Sequence, residues 1–230
     1  MSEDLLKYEK ELYEKGTLLI AGVDEVGRGP LYGPVVTAAV ILPKNYHLDG
    51  LNDSKKLTPK KRELLYDIIM KDALAVSIGS RSAKEIDDTN ILISTKNAMI
   101  DAIRGLKICP NHVLIDAVKL EGLEIPQTNI IKGDAKSASI AAASIIAKVY
   151  RDRLLIEDAK KYPGYGFEKH KGYGTKLHIE KIYELGVLEN HRKTFEPIKS
   201  IINGSDVNEK KYKNGNKTTK RKDKVSKTSE

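Results

Sequence analysis

Two short apolar runs stand close together near the start of the chain, TLLIAGVD (17–24) and PVVTAAVIL (34–42). Neither shows the three-and-four spacing of an amphipathic helix. Both are continuous, and the second is rich in β-branched residues, so both read as buried strands. ALAVSIGS (73–80), HVLIDAV (112–118) and TNIIKGD (128–134) extend the series. Elsewhere the spacing turns helical. Leu5, Tyr8, Leu12 and Tyr13 share one face of a short helix within the first 15 residues. Thr58 is a suitable N-cap, and Pro59 a suitable first residue, for a helix running to about Lys71. Ala83–Leu106 is helical with a break near Asp87–Thr89. The strongest helical signal covers 135–162, and its first half is almost all Ala, Ser and Ile. Side chains that small let a helix lie close to a sheet or a ligand. YPGYGFEKHKGYGT (162–175) reads as a loop, KLHIEKIYELG (176–186) as a helix stopped by Gly186, and FEPIKSII (195–202) as a further helix. Strands early, with helices between and after them, predict a mixed α/β or α+β sheet with helices packed on it.

Composition narrows the class. The apolar fraction is 40%, enough for a substantial core in 230 residues. The longest apolar stretches run to about eight residues, such as Val35–Leu42, against the roughly 20 a membrane helix needs. The polar start, MSEDLLKYEKELYEKG, is not a secretory signal. One cysteine, Cys109, excludes an internal disulfide and fits a reducing compartment such as the cytoplasm. No Cys/His cluster suggests zinc, no G-x-x-x-x-G-K-[ST] occurs, and GRGPLYG opens no helix, so P-loop and dinucleotide-binding readings fail. The net charge is +8, and the last 22 residues hold nine Lys/Arg against three acids. Residues 204–230 therefore read as a basic, disordered tail, either solubilising or a nonspecific nucleic-acid tether. Residues 1–203 read as the folded domain.

The acids bring chemistry into view. Asp24 closes the first apolar run, Asp116 a later one, and Asp134 the one before the small-residue helix. A carboxylate beside an apolar strand is expensive unless something offsets its charge. Two readings compete. Asp24 and Glu25 are the solvated end of a strand before a glycine turn, with Asp24 paired to Arg28. Alternatively the acids converge, and a divalent cation removes their repulsion; oxygen donors alone suit Mg²⁺ or Mn²⁺. In a regular strand Asp24 and Glu25 face opposite ways. Sharing one site requires the backbone to turn at Glu25, which Gly27 and Gly29 would permit.

GVDEVGRGPLYGPVV, DSKKL, LIDA, KGDAKSASIAAASIIAKVYRDR and YGFEKHKGYGT, in this order, closely resemble the ribonuclease HII family over roughly Leu18–Phe195. Tyr32 departs from the small residue common at its position, and the tail lies outside the pattern. Ribonuclease HIII, the sister type, has a G-T-G-like turn, so Arg28 between Gly27 and Gly29 favours type HII. The resemblance implies a ribonuclease H-like fold: a mixed central sheet flanked by helices, with a small C-terminal helical region. It implies an endonuclease that cleaves the RNA strand of RNA–DNA hybrids and incises 5′ of single ribonucleotides in duplex DNA. Two Mg²⁺ or Mn²⁺ ions would serve, leaving 5′-phosphate and 3′-hydroxyl ends.

Carried over motif by motif, the catalytic and metal-binding acids are Asp24, Glu25, Asp116 and Asp134. Gly27, Arg28 and Gly29 would sense the 2′-hydroxyl, and Tyr173 would stack at the RNA–DNA junction. Lys55, Lys56, Lys148, Lys169, His170 and Lys171 are candidate phosphate contacts; Ser137 is either one more or a helix cap. His112, His178 and His191 read as structural or surface residues, and Asp152 as the partner of Arg151 or Arg153. Nothing demands more than a monomer. The competing classes are a non-catalytic nucleic-acid binder, which has no use for four acids facing a polyanion, and another metal nuclease of the same fold, against which the GRG turn and Tyr173 argue.

Overall fold

A computed structural model describes residues 5–51, 54 and 57–205; Lys55, Lys56 and the basic tail from residue 206 onward lie outside the described residues. The apolar runs pair into one mixed sheet. β1 (Ile20–Val26) is central, antiparallel to β2 (Val35–Ile41) and parallel to β4 (His112–Asp116). β3 (Ala75–Arg81) pairs antiparallel with β2, and β5 (Gln127–Ile130) parallel with β4, giving the order β3-β2-β1-β4-β5.

The chain divides into two compact units: Met1–Arg28 with Pro34–Leu154, and Gly29–Gly33 with the chain from Leu155 onward. The first holds the sheet, and alternation along the strands gives it two cores. On one face Ala21, Val23, Ala39, Ile41, Val113 and Ile115 pack with Met99, Ala102 and Ile103 of α4 (Ile91–Arg104). On the other, Val36, Ala38 and Val40 pack with Leu65 and Ile69 of α2 (Pro59–Asp72) and with the alanines of α5 (Ala138–Lys161). α1 (Lys7–Glu14) lays Tyr8, Leu12 and Tyr13 against Ile20, Leu114, Ile130 and Ile140.

The caps bear out the helix boundaries read from the sequence. The Thr58 hydroxyl accepts the Lys61 N–H at the start of α2. The break near residues 87–89 separates α3 (Ala83–Asp88), opened by a Ser82/Glu85 capping box, from α4, capped by Asn90. Two strand ends differ from expectation. β1 runs on to Val26, because β2 keeps pairing with it as far as Val36. β5 stops at Ile130: Lys132 turns left-handed (φ 57°) and Gly133–Ala135 forms a 3₁₀ turn, so Asp134 sits in that turn and α5 begins at Ala138.

The second unit has its own small cores. Tyr32, Leu155, Tyr165 and Phe167 form one; Leu31, Ile182 and Ile198 form another. The stretch read as a loop contains a short helix, α6 (Phe167–His170). α7 (Lys176–Leu185) ends at Gly186 (φ 94°), and α8 covers Ile198–Ile202. Among the described residues no helix is long and apolar enough to cross a membrane.

The small-residue half of α5 explains a glycine in the central strand. A Cβ on Gly22 would fall 2.0 Å from the Ser139 carbonyl carbon and 2.3 Å from the Ile140 nitrogen, both backbone atoms of α5. Gly22→Ala should therefore push helix and sheet apart, a destabilisation of about 1–3 kcal/mol. For a chain of this size that is a fall in Tm of roughly 2–4 °C per kcal/mol. An unchanged Tm in thermal unfolding would show that α5 does not touch the strand there.

Candidate active site

Asp116 is the last residue of β4, as its apolar run predicts; Ala117 follows with φ 52° and leaves the ladder. The parallel register pairs Val23 with Ile115, so Asp24 and Asp116 come next to each other on neighbouring strands and on the same face, the α5 face. Asp24 is 3% exposed. Burial pushes its carboxyl well above the usual carboxylate range, with the Glu25 and Asp116 charges adding to the rise. Two hydrogen bonds oppose it, from the Ser144 hydroxyl on α5 and from the Glu25 N–H at 2.7 Å. Asp116 accepts the Gly133 N–H at 2.8 Å, and Asp134 follows directly, buried in the 3₁₀ turn.

Glu25 is placed differently. The ladder continues through it, opposite Thr37, so the pleat carries it to the other face. The backbone turns at Gly27 (φ 92°) rather than at Glu25. Arg28 approaches Glu25 at 3.4 Å, so the ion pair expected between Asp24 and Arg28 forms with its neighbour instead. A Cβ on Gly27 would meet the Arg151 Nε at 2.3 Å, which excludes a side chain there. Arg151 is buried and donates to the Pro34 carbonyl at 3.0 Å, holding the far side of the turn.

Among the described residues no three Asp, Glu, His or Cys close into a finished ligand cage. The donor chemistry nevertheless fits a hard divalent cation. The donors are carboxylate oxygens only, and the buried Asp24 is level with the partly buried Asp116, where like charges oppose each other.

Ser144 was not singled out by the sequence, where it is one hydroxyl in an alanine stripe. Its Oγ lies 2.8 Å from the Ser54 Oγ. An ionised carboxylate only accepts, so Ser144 donates to Asp24 and Ser54 donates to Ser144. The Ser54 carbonyl accepts the Arg62 Nε at 2.9 Å, Arg62 lies 3.5 Å from Asp152, and Asp152 accepts Lys148 at 2.6 Å. Asp152 is therefore the partner of Lys148 and Arg62, whereas Arg153, one of the two partners expected for it, pairs with Glu63.

Three candidate substrate contacts are corrected. Lys148 is largely buried and committed to Asp152, and burial lowers its ammonium pKa. Ser137 is fully buried; its hydroxyl accepts the Ile140 N–H at 3.2 Å and donates to the Glu9 carboxylate at 2.6 Å, the cap role of the two considered. Glu9 also accepts the Ser139 N–H at 3.0 Å, which puts a buried carboxylate at the positive end of α5. His170 is buried, bonded to the Tyr165 carbonyl at 2.9 Å, and accepts the Gly172 N–H at 3.1 Å. Lys169 is exposed, and Lys171 (φ 51°) donates to the Glu168 carbonyl.

Within the second unit, the Leu31 N–H bonds the Gly172 carbonyl at 2.8 Å, and a Cβ on Gly29 would lie 3.7 Å from the Tyr173 ring. Gly29 and Tyr173, singled out separately in the sequence, are thus neighbours, with the Tyr173 ring 41% exposed. Behind this loop lie three buried histidines. His178 and His191 are fully buried, their Nε2 atoms 3.2 Å apart, and His170 stacks on His178 at 4.2 Å. Arg192, also buried, donates twice to the Gly33 carbonyl.

Residues 21–197 match the family described as Ribonuclease HII. The ribonuclease HII of Bacillus cytotoxicus is 60% identical over 199 residues, which cover 86% of this chain and 76% of that protein. Among solved structures, ribonuclease H2 from Pyrococcus horikoshii OT3 superposes with a TM-score of 0.70 at 26% identity, over 85% of this chain and 99% of that one. The ribonuclease HII of Archaeoglobus fulgidus, solved as a complex with PCNA, gives 0.61 at 26% identity, over 82% and 91%. The expected mixed sheet flanked by helices is the fold these relatives share.

The histidines generate a pH prediction. Burial pushes His178 down to about 3 and His191 to about 4, and charge on His170 acts in the same direction on both. An unfolded histidine titrates near 6.5. Between those values the unfolded chain binds more protons, so stability is complete above about pH 6.5 and is lost as pH falls toward about 4. The Tm should drop through that window, with a shallower slope in His178→Asn. Equal slopes in the two proteins would contradict this assignment.

Proposed function

The chain belongs to the ribonuclease HII family, and from that premise we propose that it cleaves the RNA strand of RNA–DNA hybrids and incises duplex DNA 5′ of a single embedded ribonucleotide. The observation that carries the reading is the buried Asp24 held level with the partly buried Asp116 on the adjacent parallel strand, where burial and the neighbouring like charges raise the Asp24 pKa. Asp24, Asp116 and Asp134 would hold two divalent cations, Mg²⁺ or Mn²⁺, and Glu25, whose charge is near enough to raise Asp24, would reach them past the edge of β1 from the other face. Bound there, such ions supply an activated water and a charge sink for the leaving 3′ oxygen.

The remaining work falls to the chain itself. Ser144 hydrogen-bonds the Asp24 carboxylate and favours its ionised form against the burial that opposes it. The Gly133 N–H occupies one oxygen of Asp116 and leaves the other for a ligand. Gly27 and Gly29 present backbone without side chains to the sugar edge, where a 2′-hydroxyl can both donate and accept. Tyr173 offers its exposed ring face, beside Gly29, to the sugar of the following deoxynucleotide. Arg28, Lys169 and Lys171 contact phosphates, which position the duplex without reading its sequence.

A DNA duplex carrying one ribonucleotide tests this with Mg²⁺ or Mn²⁺ present. Incision is expected on the 5′ side, giving 5′-phosphate and 3′-hydroxyl ends. Asp24→Asn and Asp116→Asn should each lower the rate more than about 100-fold at unchanged Tm, beyond the loss typical of residues that only orient a ligand. Full activity in EDTA, or equal cutting of all-DNA duplex, would sink the proposal. Ser144→Ala should weaken Mn²⁺ binding about 10-fold by electron paramagnetic resonance titration, and Ser144→Thr should restore it. Unchanged Mn²⁺ affinity in Ser144→Ala would remove its orienting role.

A further inference from the structure

The three buried histidines of the second unit belong to none of the roles above. The hydrogen-bond partners fix their tautomers. The His191 Nδ1 accepts the Leu188 N–H at 2.8 Å, so the neutral ring carries its proton on Nε2. That proton points to the His178 Nε2 at 3.2 Å, which must therefore be an acceptor. The His178 proton is then on Nδ1, and it is donated to the Tyr173 carbonyl at 2.9 Å. A directed chain runs from the Leu188 amide through two imidazoles to the peptide of Tyr173.

The neighbouring ring completes the support. His170 stacks on His178, accepts the Gly172 N–H on Nδ1 and donates from Nε2 to the Tyr165 carbonyl. The Phe167 ring stands edge-on to His178 at 5.5 Å. The N–H of Gly172 and the carbonyl of Tyr173 are thus each held by an imidazole. The segment they hold is left-handed at both Lys171 (φ 51°) and Gly172 (φ 83°), a conformation that needs outside support. The Tyr173 carbonyl also accepts the Thr175 N–H at 2.8 Å, so the histidine supplies the second of its two bonds.

We propose that His178, oriented by His191, is a positioning residue for Tyr173: it fixes the peptide that carries the exposed ring and thereby sets discrimination in favour of an RNA–DNA junction. This rests on the reading of Tyr173 as the ring that stacks at that junction. The substrate feature recognised is a ribonucleotide followed by a deoxynucleotide, and the quantity His178 controls is the rate on a single embedded ribonucleotide relative to a continuous hybrid.

The test uses two amides of different reach. An asparagine nitrogen stands close to where Nδ1 stands, and a glutamine nitrogen close to where Nε2 stands. His178→Asn keeps the donor to Tyr173, whereas His178→Gln loses it. In the full chain with Mn²⁺, His178→Gln should lower the embedded-to-hybrid ratio of kcat/KM about 10-fold or more, the scale of a displaced positioning group, and His178→Asn should leave it within about 3-fold. Equal ratios in the two variants, at matched Tm, overturn the proposal. Tyr173→Ala is measured in parallel. If it leaves the ratio unchanged, the reading of Tyr173 fails; if it lowers the ratio while His178→Gln does not, the positioning role alone fails. Should either histidine variant not fold, ¹⁵N shifts of the wild-type His178 ring decide: an Nδ1–H tautomer is expected, and an Nε2–H tautomer breaks the chain.

Discussion

Asp24 is held in a place nearly closed to water, level with the partly buried Asp116 on the neighbouring strand. Burial and the neighbouring charges both work against the ionised form of Asp24. Few arrangements in a protein core oppose each other so directly, and much of the first unit serves to maintain this one. The parallel register of β1 and β4 sets the two acids level. Ser144 and the Glu25 N–H stabilise the charge on Asp24, and the Gly133 N–H does so for Asp116. Hydrogen bonds to a buried carboxylate are charge-assisted and of the stronger kind. They hold the geometry of the pair without removing its mutual repulsion. A bound cation would do that, which is the physical ground for the metal-binding role proposed for the pair.

The sequence made the strands and aspartates legible because both leave local marks. Buried strands read as continuous apolar runs, and an acid closing such a run is conspicuous, as Asp116 shows. Helix caps are equally local, so Thr58, Ser82 and Asn90 bound helices as side-chain chemistry requires. What was not legible depends on pairing between distant parts of the chain. The extension of β1 past Glu25 depends on β2, and the pleat then sends Glu25 to the other face. The burial of Ser137 depends on Glu9, 128 residues earlier. Ser144 stood in an alanine stripe, and only the register of α5 on the sheet distinguishes it from Ser137 and Ser139. His170 sat among lysines and looked like a phosphate contact; its ring is turned inward by bonds to Tyr165 and Gly172.

The second unit is organised by a different physical demand. Its loop 170–175 carries an exposed aromatic ring on a left-handed backbone, so the fold must hold peptides rather than offset charge. Neutral imidazoles suit that task. Each offers one donor and one acceptor at fixed geometry, and burial keeps the ring uncharged, so both roles persist at neutral pH. A charged residue in the same place would need a counter-ion that the cluster of Tyr165, Phe167 and Tyr32 does not provide.

The spacing between α5 and the sheet ties these pieces together. The helix approaches so closely at Gly22 that no side chain fits beneath Ser139. That proximity lets a side chain as short as serine, five residues further along, reach Asp24 on the same strand. A larger residue at Gly22, or in place of the alanines that face β2, would lift the helix. The Ser144 hydroxyl would then withdraw from the carboxylate while the aspartates stayed in register. Glu9 acts on the same variable from the other end, since its bonds to Ser137 and Ser139 fix where the helix starts. The alanine stripe is therefore more than efficient packing. It sets the distance at which the Ser144 hydroxyl reaches the buried Asp24 carboxylate, so the backbone contact at Gly22 bears on the surroundings of that acid as directly as the strand register does.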